Sequence, residues 1–110
     1  NYVVTSDRKL VYFINDETLY SVNGIKGGKA RRITNDDVES YFLALNAKDV
    51  VYYVMDGDAY ACSNGKKGTK VVSDAIALYG TQNGVAYVMT EDTLYASNGS
   101  KKPKELLTID

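Results

Sequence analysis

Val50-Val51-Tyr52-Tyr53-Val54-Met55-Asp56-Gly57-Asp58-Ala59-Tyr60 recurs, without a gap, at residues 10–20 (LVYFINDETLY) and 85–95 (VAYVMTEDTLY). In each copy an apolar run with Tyr in third place meets a short acidic turn and a second run ending in Tyr. That is the pattern of a β-hairpin. The shared tyrosines are Tyr12, Tyr52 and Tyr87 in the first arm, and Tyr20, Tyr60 and Tyr95 in the second. Residues at repeated places of this kind are expected in the core, between adjacent sheets, with their hydroxyls at the rim.

Each hairpin is preceded by another apolar segment, at residues 2–5, 41–45 and 76–79. Polar turns at 6–9, 46–49 and 81–84 join the two, the last holding an Asn-Gly pair. Each hairpin is followed by Asn-Gly, at Asn23-Gly24, Asn64-Gly65 and Asn98-Gly99, then by a lysine-rich connection and a fourth short apolar run at 30–34, 70–73 and 105–108. The expectation is an all-β chain of twelve strands. They form three four-stranded antiparallel repeats, at about 1–35, 36–74 and 75–110, within a single domain over 1–110. The spacing is 40 residues from Tyr12 to Tyr52 and 35 from Tyr52 to Tyr87, and the difference falls mainly in the link at 35–40. Length changes are cheap in a surface loop and costly inside a ladder.

Composition agrees. The 110 residues include 10 Tyr but no Trp or His, with one Pro, one Cys and a net charge of −1. Val, Ile, Thr and Tyr outweigh helix formers. Cys62 has no intrachain partner, so nothing demands an oxidising compartment. No apolar run approaches a membrane span. The chain begins with Asn1 rather than Met, and it reads as a piece of a longer protein.

Two architectures fit three four-stranded repeats. Propeller blades have this length and strand number, and residues 50–54 are apolar on both faces, as a sheet sandwiched between neighbours requires. A β-trefoil also has three four-stranded repeats, and it closes by itself at about this size. The first copy carries a family resemblance. Residues 5–13 (TSDRKLVYF), then Leu19-Tyr20, then residues 27–34 (GGKARRIT) resemble the repeat of TolB-like and related bacterial exported β-propeller domains. In that family a Ser-Pro-Asp-Gly-type turn precedes the second strand, and a Gly-Gly-x-x-x-x-Leu-Thr ending closes the fourth. Here the turn proline is missing. The second and third copies keep the hairpin, the Asn-Gly pair and the endings Val72-Ser73 and Leu107-Thr108. The resemblance implies propeller blades and an extracellular or cell-envelope setting. A propeller normally has at least four blades, so either further blades lie outside this chain or a homo-oligomer completes the ring.

The charges sort by loop. Most of the 13 basic residues lie between the third and fourth strands, such as Lys26, Lys66, Lys67 and Lys102, and most of the 14 acids lie in the hairpin turns or the links between repeats. In a propeller these loops occupy opposite faces, so a net charge near zero would conceal one acidic and one basic face. Asp is also a good turn former and Lys a good solubiliser of edges. The basic set lacks interleaved aromatics in a chain that is not basic overall, which argues against nucleic acid.

Asp56-Gly57-Asp58 offers oxygen ligands but lacks the rest of a calcium loop, and without His there is no Ser-His-Asp or Cys-His arrangement and no His metal ligand. Lys66 and Lys67 stand near Cys62 and would lower its pKa if exposed, but a free, half-buried structural thiol is the more usual case and the expected one. No cofactor and no catalytic residue are expected. The candidate ligand contacts are Tyr2, Tyr41 and Tyr79 on first strands, near a central channel, and the turn acids Asp16, Asp56, Asp58, Glu91 and Asp92. The expected role is a non-catalytic binding or scaffold module for a protein or carbohydrate. The alternatives are a carbohydrate- or protein-binding trefoil, and blades of a propeller enzyme whose active site lies elsewhere.

Overall fold

Branched and aromatic runs separated by tight polar turns satisfy their backbone hydrogen bonds most simply as an antiparallel meander, and the chain adopts one three times. The computed structural model describes residues 2–45, 49–82, 85–99 and 102–109; the side chains of residues 40–45, 81 and 82 are outside that description. Among the described residues there are twelve strands and no helix. The first sheet holds β1 (Tyr2–Val4), β2 (Leu10–Asn15), β3 (Thr18–Asn23) and β4 (Arg31–Arg32). β5 (Val38–Leu45), β6 (Val51–Met55), β7 (Asp58–Cys62) and β8 (Thr69–Val72) form the second. The third holds β9 (Ala77–Gln82), β10 (Val85–Met89), β11 (Thr93–Ser97) and β12 (Lys104–Thr108). Every pairing is antiparallel between strands consecutive in the chain.

The hairpins share one register, with Ile14 opposite Leu19, Val54 opposite Ala59, and Met89 opposite Leu94. Asp16 and Glu17 have φ of 51° and 61°, and Asp56 and Gly57 have 53° and 76°. Two successive positive φ values make the turn whose twist matches a two-residue hairpin. The third turn differs. Neither Glu91 nor Asp92 has a positive φ, and the Thr90 hydroxyl instead accepts the Thr93 N–H at 3.1 Å.

Two expected boundaries shift for local reasons. β5 starts at Val38, inside the segment expected to be a link, because the Val38 N–H donates to the Glu17 carbonyl at 2.8 Å and the side chain is buried. β4 has only two residues, yet the ladder runs on: the Ile33 N–H donates to the Leu19 carbonyl at 2.9 Å, and the Thr34 hydroxyl accepts the Leu19 N–H at 3.1 Å. The expected turn residues 46–48 and the Asn-Gly pair at 83–84 lie outside the described residues.

A closed trefoil barrel would need ladders between strands of different repeats. Among the described residues every ladder stays within its own repeat. The repeats meet through side chains instead. Tyr12, Leu19, Ile33 and Val38 pack with Val51, Tyr53, Met55 and Cys62 at the first joint. At the second, Val54, Ala59, Val72 and Ala75 pack with Val88, and Val50, Tyr52 and Ala61 pack with Ala86. The central strand β6 is therefore buried at all five positions, on both faces. Burying a large apolar side chain stabilises by roughly 1.5–3 kcal/mol, whereas a lone small sheet is marginal in water. The joints thus hold the molecule together. Across them the first strands lie closest, β1 to β5 and β5 to β9. The whole measures 50 × 27 × 20 Å.

Candidate functional site

Three equivalent hydrogen bonds decide where the turn acids sit. The N–H groups of Val38, Ala75 and Ile109 donate to the carbonyls of Glu17, Gly57 and Asp92, at 2.8, 2.7 and 2.7 Å. Each ties the segment after a fourth strand to its own hairpin turn, so hairpin turns and inter-repeat links share one edge of the molecule.

On that edge the second repeat gathers the most charge. Asp36 stands beside the Asp56 carboxyl, with Glu39 and Asp58 close by, and this company raises its pKa. The Glu39 carboxylate accepts the Gly57 N–H. Asp58 behaves oppositely. It accepts the Asp74 N–H at 3.1 Å and pairs with Lys70 Nζ at 3.2 Å, and both contacts lower its pKa. Two neighbouring carboxyls are thus pushed apart. Asp92 takes the Thr93 hydroxyl at 2.9 Å, and with Glu91 it borders a groove of about 290 Å³ reached also by Asp74 and Tyr95. Among the described residues, Asp16 contributes only its carbonyl, to the Thr18 hydroxyl at 3.4 Å. The structure therefore brings Asp56 and Asp58 together, sets Glu91 and Asp92 on a neighbouring groove, and leaves Asp16 outside both.

The tyrosines separate. Tyr2 stands opposite Phe13 on the free face of the first sheet, and Tyr79 stands opposite Tyr87 on the free face of the third. Both are more than half exposed, at 68% and 53%. Strand parity points them to opposite ends, so they do not line one common surface. The Tyr41 backbone pairs with Tyr53, and its side chain lies outside the described residues.

On the other edge lies a cleft that the sequence did not single out, about 480 Å³, bounded by Thr5, Asp7, Lys9, Asn23, Asp49 and Asn64 among others. Its carboxylates are already engaged. Asp7 accepts the Lys9 N–H at 2.9 Å and the Thr5 hydroxyl at 2.8 Å, which hold its pKa below the usual range. Asp49 takes the Ser6 N–H at 3.0 Å and hydroxyl at 2.6 Å, clasping the first repeat to the second. The Ser6-Asp7 pair of the polar turn at 6–9 was the signal for this place.

Hydroxyls of the shared tyrosines cross the joints. Tyr12 Oη accepts the Gly65 N–H at 2.8 Å, and Tyr52 Oη accepts the Gly99 N–H at 2.8 Å. Burial raises the Tyr12 pKa to about 12 and pushes that of Tyr53 up as well. Cys62 is buried beside them, and its thiol donates to the Lys66 carbonyl at 2.8 Å. Burial lifts its pKa to about 11, partly offset by the Tyr12 hydroxyl and Arg31. Lys66 meets the sulfur through its backbone carbonyl, and the thiol is buried, as a structural thiol would be.

Among the described residues no cluster of Cys, Asp or Glu is arranged to hold a metal ion, and no helix is long and apolar enough to cross a membrane. No family model, no curated protein and no solved structure matches the chain.

Proposed function

We propose that the chain is a non-catalytic binding or scaffold module built from propeller-type repeats, with a protein or carbohydrate partner, in the envelope or exterior of a bacterial cell. The observation that carries the propeller reading is the fan of the sheets. First strands approach one another across both joints, fourth strands do not come comparably close, and the outline is about twice as long as it is wide, 50 by 27 Å. Three wedges around part of an axis have that form.

Support for a non-catalytic role comes from where the most strongly shifted groups are. Tyr12, Tyr53 and Cys62 are shifted by burial inside a joint, where they pack and hydrogen bond rather than face a substrate. The exposed polar groups instead lie along two edges of turns, which suits contact with a surface or an extended ligand. The setting and the bacterial origin rest on the resemblance of residues 5–13 and 27–34 to TolB-like repeats.

The labelled chain, read on glycan and peptide arrays, tests the role. Saturable binding that weakens several-fold in Asp56→Asn or Asp92→Asn supports it. Turnover of a panel of ester, glycoside and phosphate substrates, abolished by one of those substitutions, contradicts it.

A further inference from the structure

At each internal joint, four equivalent positions of one repeat are covered by the next. They are the shared tyrosine, Tyr12 or Tyr52; its hairpin neighbour, Leu19 or Ala59; the fourth-strand position, Ile33 or Val72; and the residue bonded to the turn, Val38 or Ala75. All eight are buried. Register and the turn bonds place Tyr87, Leu94, Leu107 and Ile109 at these positions of the third repeat. There Tyr87 and Leu94 are half-buried, and Leu107 and Ile109 are each 56% exposed. Among the described residues, nothing covers this joint face of the third sheet.

The receiving face is also duplicated. The second repeat meets the first with Val51 and Tyr53, the latter stacked on Tyr60 at 5.2 Å between ring centres. The first repeat carries the same pair on its free side, Phe13 stacked on Tyr20 at 5.4 Å, with Val11 beside them and Tyr2 exposed over Phe13. Among the described residues, the third repeat thus presents an uncovered projecting face and the first an uncovered receiving face.

We infer that two copies of residues 1–110 cover these faces for each other, third repeat against first, and that two such joints close a ring of six repeats. The joint itself rests on the internal equivalence of the repeats; closure of the ring rests on the propeller reading. A further repeat of the same type fits either face singly; a second copy of residues 1–110 is the occupant that brings the matching halves of both. Two bodies of 50 × 27 Å placed edge to edge also complete a disc about as wide as one body is long. Head-to-tail contacts of this kind either close or run on as filaments, and the rotation between repeats decides which. One polar detail differs between the joints. The Gly24 N–H, the counterpart of Gly65 and Gly99, already donates to the Lys9 carbonyl at 2.9 Å, so the joint between copies is apolar and does not need the Tyr87 hydroxyl.

Light scattering on the chain and three variants tests this. The expected result is a mass twice that of the 12.1 kDa chain, retained in Tyr87→Phe. It falls to the single-chain mass in Leu107→Lys and in Tyr2→Lys, both at exposed positions whose change leaves the monomer folded by circular dichroism. Mixing the two lysine variants restores dimers, because one joint then has both native faces. A native chain that stays monomeric up to about 1 mM, or lysine variants that keep the double mass, overturns the proposal. A mass that climbs without limit overturns ring closure. The array experiment on the Leu107→Lys monomer is scored separately, so loss of self-association leaves the binding role standing or falling on its own result.

Discussion

At the scale of single residues, the hydroxyls of Tyr12 and Tyr52 link one repeat to the next through an N–H buried 53 and 47 residues away. Removing a hydroxyl leaves that donor unpaired in the core, which typically costs about 1–3 kcal/mol. Tyr12→Phe and Tyr52→Phe are each expected to lose that much in urea unfolding, and Tyr87→Phe to lose less than about 0.5 kcal/mol, the usual range for a surface change. Cys62 makes a pH prediction. Its pKa rises from 9.0 to about 11 on folding, so the folded chain holds the proton more tightly than the unfolded one. The resulting stability is fully present below pH 9.0 and is lost as pH climbs towards 11. At 1.36 kcal/mol per unit the loss is roughly 3 kcal/mol. Cys62→Ala is expected to flatten the fall of the urea midpoint across that window. Among the exposed acids the directions oppose. Asp56 is raised, so it favours folding in acid and loses that contribution as pH rises through the carboxylate range; Asp58 is lowered and does the reverse. At neutral pH, Asp56→Asn should raise the midpoint and Asp58→Asn should lower it. Both effects should fade in acid.

At the scale of elements, the hairpins were legible because their information is local. A Tyr-bearing apolar run, two turn residues and a second run fix register within eleven residues, and the three hairpins pair as the repeats imply. The joints were less legible. Val38 sits in a polar stretch, Asn35-Asp36-Asp37-Val38-Glu39, which reads as a link. Its burial depends on the next sheet stacking over it. Tyr2 and Tyr79 looked alike as first-strand tyrosines, but alternation sends them to opposite end faces, and only the observed register reveals that. Pairing of Tyr12 with Gly65 is likewise a fact of stacking between sheets. Gly65 shows how tightly the elements are fitted. Its φ is +67°, and a Cβ there would stand 2.9 Å from Ser21 Oγ. Gly57 has φ of +76° with open space around it. Gly57→Ala should therefore cost only the backbone strain, about 1 kcal/mol, and Gly65→Ala about 2 kcal/mol or more. Paired urea titrations of the two variants measure the difference.

At the scale of the whole molecule, three sheets that share no ladder among the described residues stay together because β6 is buried on both sides and the first strands converge. Lateral packing without a shared ladder lets such repeats fan, with a few side-chain hydrogen bonds crossing each joint. Small-angle X-ray scattering of the Leu107→Lys monomer tests the fanned arrangement most directly. The expected result is a flattened particle with a longest dimension near 50 Å and cross-section near 27 × 20 Å. A near-isotropic particle about 35 Å across, the size of a self-closed globule of this length, would contradict it.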